Sequence, residues 1–189
     1  MPSEEEQIIG RIRELMLAIP RHIEGGDHLM AAEKLSDLAE LYRKNGQHDV
    51  AASTFAEAAK QWGKAADRIG DDPQRNQFRD LARRMRIEEA ATLETVAKGE
   101  AKNRTRNFGA PKYSAAALTY EAVAEYKEAA RLHKLSAKAW SKAGQHTMAA
   151  SKRVQAAEAH KKASQKWRAR GSRMRSVLTG LRPKRKRRK

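Results

Sequence analysis

NGQHDVAAS, Asn45–Ser53, returns as AGQHTMAAS, Ala143–Ser151, displaced by 98 positions. The same displacement carries 27–67 onto 125–165 without a gap. It pairs Ala31 with Ala129, Ala32 with Ala130, Ala39 with Ala137 and Lys44 with Lys142. It also pairs Gly46 with Gly144, Ala58 with Ala156, Ala59 with Ala157 and Ala65 with Ala163, and it sets Tyr42 on Trp140. An internal repeat of this length governs the choice of fold before any single residue does.

Each copy reads as two helices joined by a tight turn. Leu35, Leu38, Ala39 and Tyr42 recur at steps of three and four, the spacing of one helical face. Gly46 is placed to end that helix in a left-handed cap. Ala51, Ala52, Phe55, Ala58, Ala59 and Trp62 then form a second stripe. Alanine beside single aromatics suits close helix contact, the ring filling the space beside the small residue. His48 and His146 fall in the two turns. No further ligand stands four residues on, and the whole turn is repeated with them, so they belong to turn chemistry and are not metal ligands.

Ala39, Tyr42, Gly46, Ala51, Phe55 and Ala58 resemble the small–aromatic–Gly–Ala–aromatic–Ala signature of tetratricopeptide-type repeats and their SNAP-like relatives. The second copy offers Ala137, Trp140, Gly144, Ala149 and Ala156. It departs at Arg153, where the pattern has a large apolar residue, and both copies lack the closing proline. The resemblance spans about 80 of the 189 residues. It implies an all-α fold of antiparallel helical hairpins, a stack of about six to eight helices that binds other macromolecules and holds no catalytic centre or cofactor.

Charge is the second strong signal. The net charge is +17, but residues 1–95 carry 14 Lys/Arg against 18 Asp/Glu, and residues 96–189 carry 26 against 5. Nothing acidic follows Glu158. So basic a half is a footprint for polyanions, and it could also pair with the acidic half of another copy. Apolar residues make up 40% of the chain and are largely alanine, which predicts a thin core. No cysteine is present, no apolar run approaches a membrane span, and the start MPSEEEQ is unlike a signal peptide. These features lead us to expect an intracellular protein, nuclear if eukaryotic or host-directed.

Along the chain we expect an acidic N-terminal helical half (1–98), a basic linker (99–112), a basic C-terminal helical half (113–170) and a disordered basic tail (171–189). A first helix over Ser3–Ile19 opens with the capping-box pair Ser3 and Glu6 and stops before Pro20. The second runs from the cap Asp27 to Asn45, and the third from about His48 to Ile69. Asp72 and Pro73 start a fourth, reaching about Lys98, with Phe78, Leu81, Met85, Leu93 and Val96 as its core residues. Its Arg79, Arg83, Arg84 and Arg86 read as a solvated face, partly paired with Asp80, Glu88 and Glu89. NRTRNFGAPK, 103–112, has the composition of an exposed loop, with Phe108 either tucked beneath it or stacked on a nucleobase. Residues 113–143 form one helix or two, with a break near Glu128–His133 in the second case. The last helix runs from about His146 to Arg170, and its Trp167 reads first as core and second as a stacking residue.

The candidate nucleic-acid contacts follow from these charges. They are Arg104 and Arg106 in the linker and Lys161, Lys162, Lys166, Arg168 and Arg170 on the last helix. The tail adds Arg173, Arg175, Arg182, Lys184, Arg185, Lys186, Arg187, Arg188 and Lys189. Gly, Ser and Pro mixed with cations cannot build a core. The final six consecutive cations resemble a nuclear localisation signal or a phosphate-binding tail. No Gly-rich phosphate loop, His-Glu-x-x-His or cysteine nucleophile occurs, and the six histidines are scattered. The sequence therefore points to a non-enzymatic protein. One reading has it bind DNA or RNA by charge and shape, copies aligning along the polymer. The other is a helical-repeat adaptor for a protein partner, the tail serving only as an address. Anionic membrane is a weaker fit, because no apolar stripe accompanies the tail.

Overall fold

The computed structural model describes residues 3–69, 73–103 and 106–180. The expected cap Asp72, the linker residue Arg104 and the tail beyond Gly180 lie outside them. Every element among the described residues is helical. The seven α-helices are α1 (Glu4–Glu24), α2 (His28–Lys44), α3 (His48–Arg68), α4 (Pro73–Lys102), α5 (Ala110–Ala122), α6 (Tyr126–Lys142) and α7 (His146–Gly180). A 3-10 turn over Arg106–Gly109 leads into α5.

Local chemistry sets several of these ends. The Glu6 amide donates to Ser3 Oγ at 3.2 Å and the Ser3 amide to Glu6 Oε2 at 2.8 Å, closing the capping box of α1. Asp27 accepts from the Met30 amide and starts α2. One turn then recurs four times. Gly26, Gly46, Ala124 and Gly144 have φ of 72°, 74°, 60° and 75°. In each case the next amide reaches back across the turn: Asp27 to His22 O, Gln47 to Tyr42 O, Glu125 to Tyr120 O and Gln145 to Trp140 O, all at 2.8–2.9 Å. This six-to-one bond is the Schellman closure, which satisfies carbonyls the helix end would leave open.

The substantial packing is between helices adjacent in the chain. Polar links then skip one helix. Arg43 on α2 pairs with Glu88 on α4 at 2.8 Å, and Arg131 on α6 with Glu94 on α4 at 2.6 Å. Lys112 on α5 pairs with Asp49 on α3. Even-numbered helices thus lie side by side, as do α3 and α5. One apolar cluster joins α1, α2 and α3 through Ile12, Leu15, Ile19, Leu35, Leu38 and Phe55. A second joins α4 to α7 and is mostly alanine, with Tyr113, Tyr120 and Leu132 as its large members. Alanine removes little area per residue but lets backbones approach, so this half is held by proximity more than by bulk.

Several expectations need correction. Helix α1 does not stop before Pro20. The amide that proline lacks would have faced the Met16 carbonyl, and both residues are exposed, so solvent can take that carbonyl. Residues 99–112 are no extended exposed linker. α4 continues to Lys102, α5 starts at Ala110, and Gly109 and Ala110 are buried. Gly109 has φ 71°, and a Cβ there would overlap the Ala97 backbone, so only glycine permits this approach of α5 to α4. Residues 113–143 are two helices broken at Val123–Glu125, ahead of the expected 128–133. The large residues expected in the α4 core are only half-buried, while Ala90, Thr92, Glu94 and Ala97 are buried. Finally, α7 runs ten residues past Arg170, through Gly171 to Gly180, so that part of the expected disordered tail has helical backbone.

Candidate nucleic-acid interface

The basic residues of the C-terminal half gather on the α6–α7 hairpin. The two helices run antiparallel after the turn at Gly144 and pack closely. Lys161, Lys162 and Arg168 are exposed on α7. Lys162 Nζ stands 5.7 Å from the Tyr126 ring centre, a cation–π distance. Lys166 is already engaged. Its Nζ donates to the Ala124 carbonyl at 2.6 Å and lies 5.9 Å from the same ring. Its counterpart 98 positions earlier, Arg68, makes the equivalent bond to the Gly26 carbonyl. In both places a cation, Arg68 at the end of α3 and Lys166 within α7, clips the left-handed residue of an earlier turn. Arg106 lies in the 3-10 turn and Arg170, Arg173 and Arg175 in α7. Arg104, Arg182, Lys184, Arg185, Lys186, Arg187, Arg188 and Lys189 lie outside the described residues.

Residues not singled out from the sequence complete the surface. Lys127, Lys134, Lys138 and Lys142 project from α6, and Arg153 from α7, all exposed. Lys134 Nζ donates to His160 Nε2 at 3.0 Å across the hairpin. Two adjoining hollows run along this face. One is lined by Lys134, Ala137, Lys138, Ser141, Lys142 and Arg153. The other, about 630 Å³, is lined by Lys127, His160, Ala163, Ser164, Trp167 and Arg168. No carboxylate lines either one. Lys127 to Lys142 spans about 22 Å of helix. Trp167 is 76% exposed at one end, so the expectation that it belongs to the core is overturned. It follows the last packed turn of α7, where no later helix among the described residues covers it.

The ionic groups deeper in the molecule are structural. Glu94 is buried, takes a bidentate pair of bonds from Arg131 at 2.9 and 2.6 Å, and meets Lys98 at 2.8 Å. The Arg131 guanidinium, against the opposing effect of burial, holds its carboxyl below the ordinary value of 4.5. His133 is fully buried and its Nε2 lies 3.3 Å from Glu121 Oε1. A carboxylate only accepts, so Nε2 carries the proton, and Nδ1 has no partner. Burial pushes this imidazole below its usual range, opposed by Glu121, with Lys152 adding to the downward shift.

The residues of the repeated motif occupy matching places. Ala39, Ala51, Phe55 and Ala58 in the first copy and Ala137, Ala149 and Ala156 in the second are all buried, as is Tyr42, while Trp140 is half-buried. Gly46 and Gly144 hold the left-handed turns. The 98-residue displacement was the signal for the α6 lysines. It sets Lys127, Lys134, Lys138 and Arg153 on Leu29, Ser36, Glu40 and Phe55, marking where the second copy exchanges apolar, neutral polar or acidic side chains for cations. No protein family, curated protein or solved structure matches this chain.

Proposed function

We propose that this chain is a non-enzymatic helical-repeat protein that binds nucleic acid through its basic C-terminal half and tail and assembles along it. The observation that carries the reading is the α6–α7 face: a row of exposed lysines and arginines whose two hollows hold no acidic residue, with Glu125 in the neighbouring recess beside Trp167 already paired with Arg83. Such a surface neutralises phosphate and releases counterions, so affinity is set by charge and shape. A tetratricopeptide-like stack is the scaffold in this reading, supported by the repeated Gly turns and by packing that follows chain order. An intracellular location suits the reading, nuclear if the source is eukaryotic or host-directed.

A second reading, a protein-binding adaptor, draws on a different observation. Helix α1, at the end of the array, exposes Ile9, Met16 and Leu17, the last to 71%. An apolar end face of this kind suits a protein partner or another copy.

The discriminating test is an anisotropy titration against duplex DNA and single-stranded RNA at two salt concentrations. A chain ending at Gly180 serves as comparison, since it keeps α7 whole and removes only 181–189. The expected result is tight, salt-sensitive binding. Deleting the seven cations of 181–189 should reduce the salt slope on duplex DNA by up to about 6. Absence of binding near physiological salt would sink the nucleic-acid reading and favour the adaptor.

A further inference from the structure

The repeat gives the basic groove a meaning of its own. In the first copy the face formed by α2 and α3 is covered by α4. Phe55 and Trp62 are buried there, at 1% and 5% exposure. Trp62 meets the Phe78 ring at 5.4 Å, and Arg43 pairs with Glu88. Helix α4 therefore fills that seat with both apolar and acidic groups. In the second copy α6 and α7 present the corresponding face, but among the described residues no helix follows α7. The residues change to match. Arg153 stands at the position of Phe55, His160 at that of Trp62 and Ser164 at that of Ala66, while Lys127 lies at the rim, where the first copy has the exposed Leu29. A seat once occupied by a helix is open and cationic, and its outer end carries an exposed indole.

We propose that this open seat holds single-stranded nucleic acid, with an unpaired base stacked on Trp167 and its phosphates on Lys127, Lys134 and Arg168. The proposal rests on the nucleic-acid reading and narrows it from any polyanion to a strand with accessible base faces. Two features favour this occupant. An apolar helix would have to desolvate the cations of this seat, among them Arg153 at the place of the buried Phe55, at high cost. A phosphate backbone pairs with them while they stay wet. Duplex also satisfies the cations, but its bases are already stacked, leaving the 76%-exposed indole against sugar and phosphate. Trp167 projects from solvent-facing helix, and neither of the other tryptophans is comparably exposed.

The test uses the full-length protein and Trp167→Ala and Trp167→Phe variants. Each is titrated with oligo-dT, oligo-U, a duplex of equal length, inorganic polyphosphate and vesicles of anionic lipid, following affinity and tryptophan emission. The proposal expects both single strands to quench emission in the wild type and not in Trp167→Ala. It expects Trp167→Ala to weaken single-strand binding about tenfold, Trp167→Phe to restore most of it, and polyphosphate affinity to stay unchanged. Binding to one single strand only, still lost in Trp167→Ala, would keep the stacking site and show which of the two strands it takes. Equal affinities of wild type and Trp167→Ala for single strands, with salt-sensitive binding intact, would overturn the stacking site and leave the broader reading standing. Loss of binding to every polyanion would overturn both. Emission changes confined to the vesicles would reassign the surface to membrane.

Discussion

Ala124 is a residue out of keeping with its backbone. It takes φ 60° in a turn whose three counterparts are glycines, and the displacement of 98 sets it on Gly26. A side chain there costs roughly 1–2 kcal/mol against the following carbonyl, of which the flexibility of glycine in the unfolded chain returns a part. Ala124→Gly should stabilise the protein by about 1 kcal/mol, read as a rise in the urea midpoint at unchanged slope. The Lys166 bond to this residue uses its carbonyl and survives the change. The break it causes was hidden from a search for glycine or proline, because 113–143 contains neither. Only the register of the repeat reveals it. His133 escaped notice for a similar reason: it stands where the first copy has Leu35, and helical spacing alone does not tell a buried imidazole from an exposed one.

At the scale of elements, both ends of α2 and α3 and the Gly144 end of α6 were legible, since caps and Gly turns are local chemistry, whereas the start of α6 was not. The role of α4 was not. Its sequence reads as an apolar stripe of Phe78, Leu81, Met85, Leu93 and Val96 with a solvated arginine face, yet it touches α2, α3, α5 and α6 by packing or ion pairs, the arginine face included. Partners distant in sequence, such as Arg131 for Glu94, decide that, and no periodicity encodes them. Glu94 has its carboxyl pKa lowered in the folded state, so it contributes stability that is fully present above the unfolded value near 4.5 and is lost as pH falls through the lower folded value. Glu94→Gln should cost on the order of 2 kcal/mol at neutral pH, moderated because the Arg131 side chain is 43% exposed. The gap to wild type should close as pH drops below about 4.5. Urea unfolding at neutral and acidic pH measures both effects, and a gap that stays constant with pH would refute this account of the pair.

For the whole molecule, the split of charge was plain from composition, but which cations share a face was not. Lysines of α6 and α7 lie far apart in sequence and meet only through the hairpin. The acidic first half and basic second half should also attract between copies. Free protein at about 20 mM salt should sediment as assemblies heavier than the 21.2 kDa chain, and about 300 mM salt should disperse them. Sedimentation at the two salts decides it, a salt-independent mass counting against this association. The close seat of Gly109 on the Ala97 carbonyl bears on how such assemblies are built. No side chain fits between the Gly109 backbone and Ala97, so the start of α5 is held against α4 at a distance that any substitution there would widen. Were copies to join through their oppositely charged halves, the tight α4–α5 contact is the joint that would set the angle each one adds to the next.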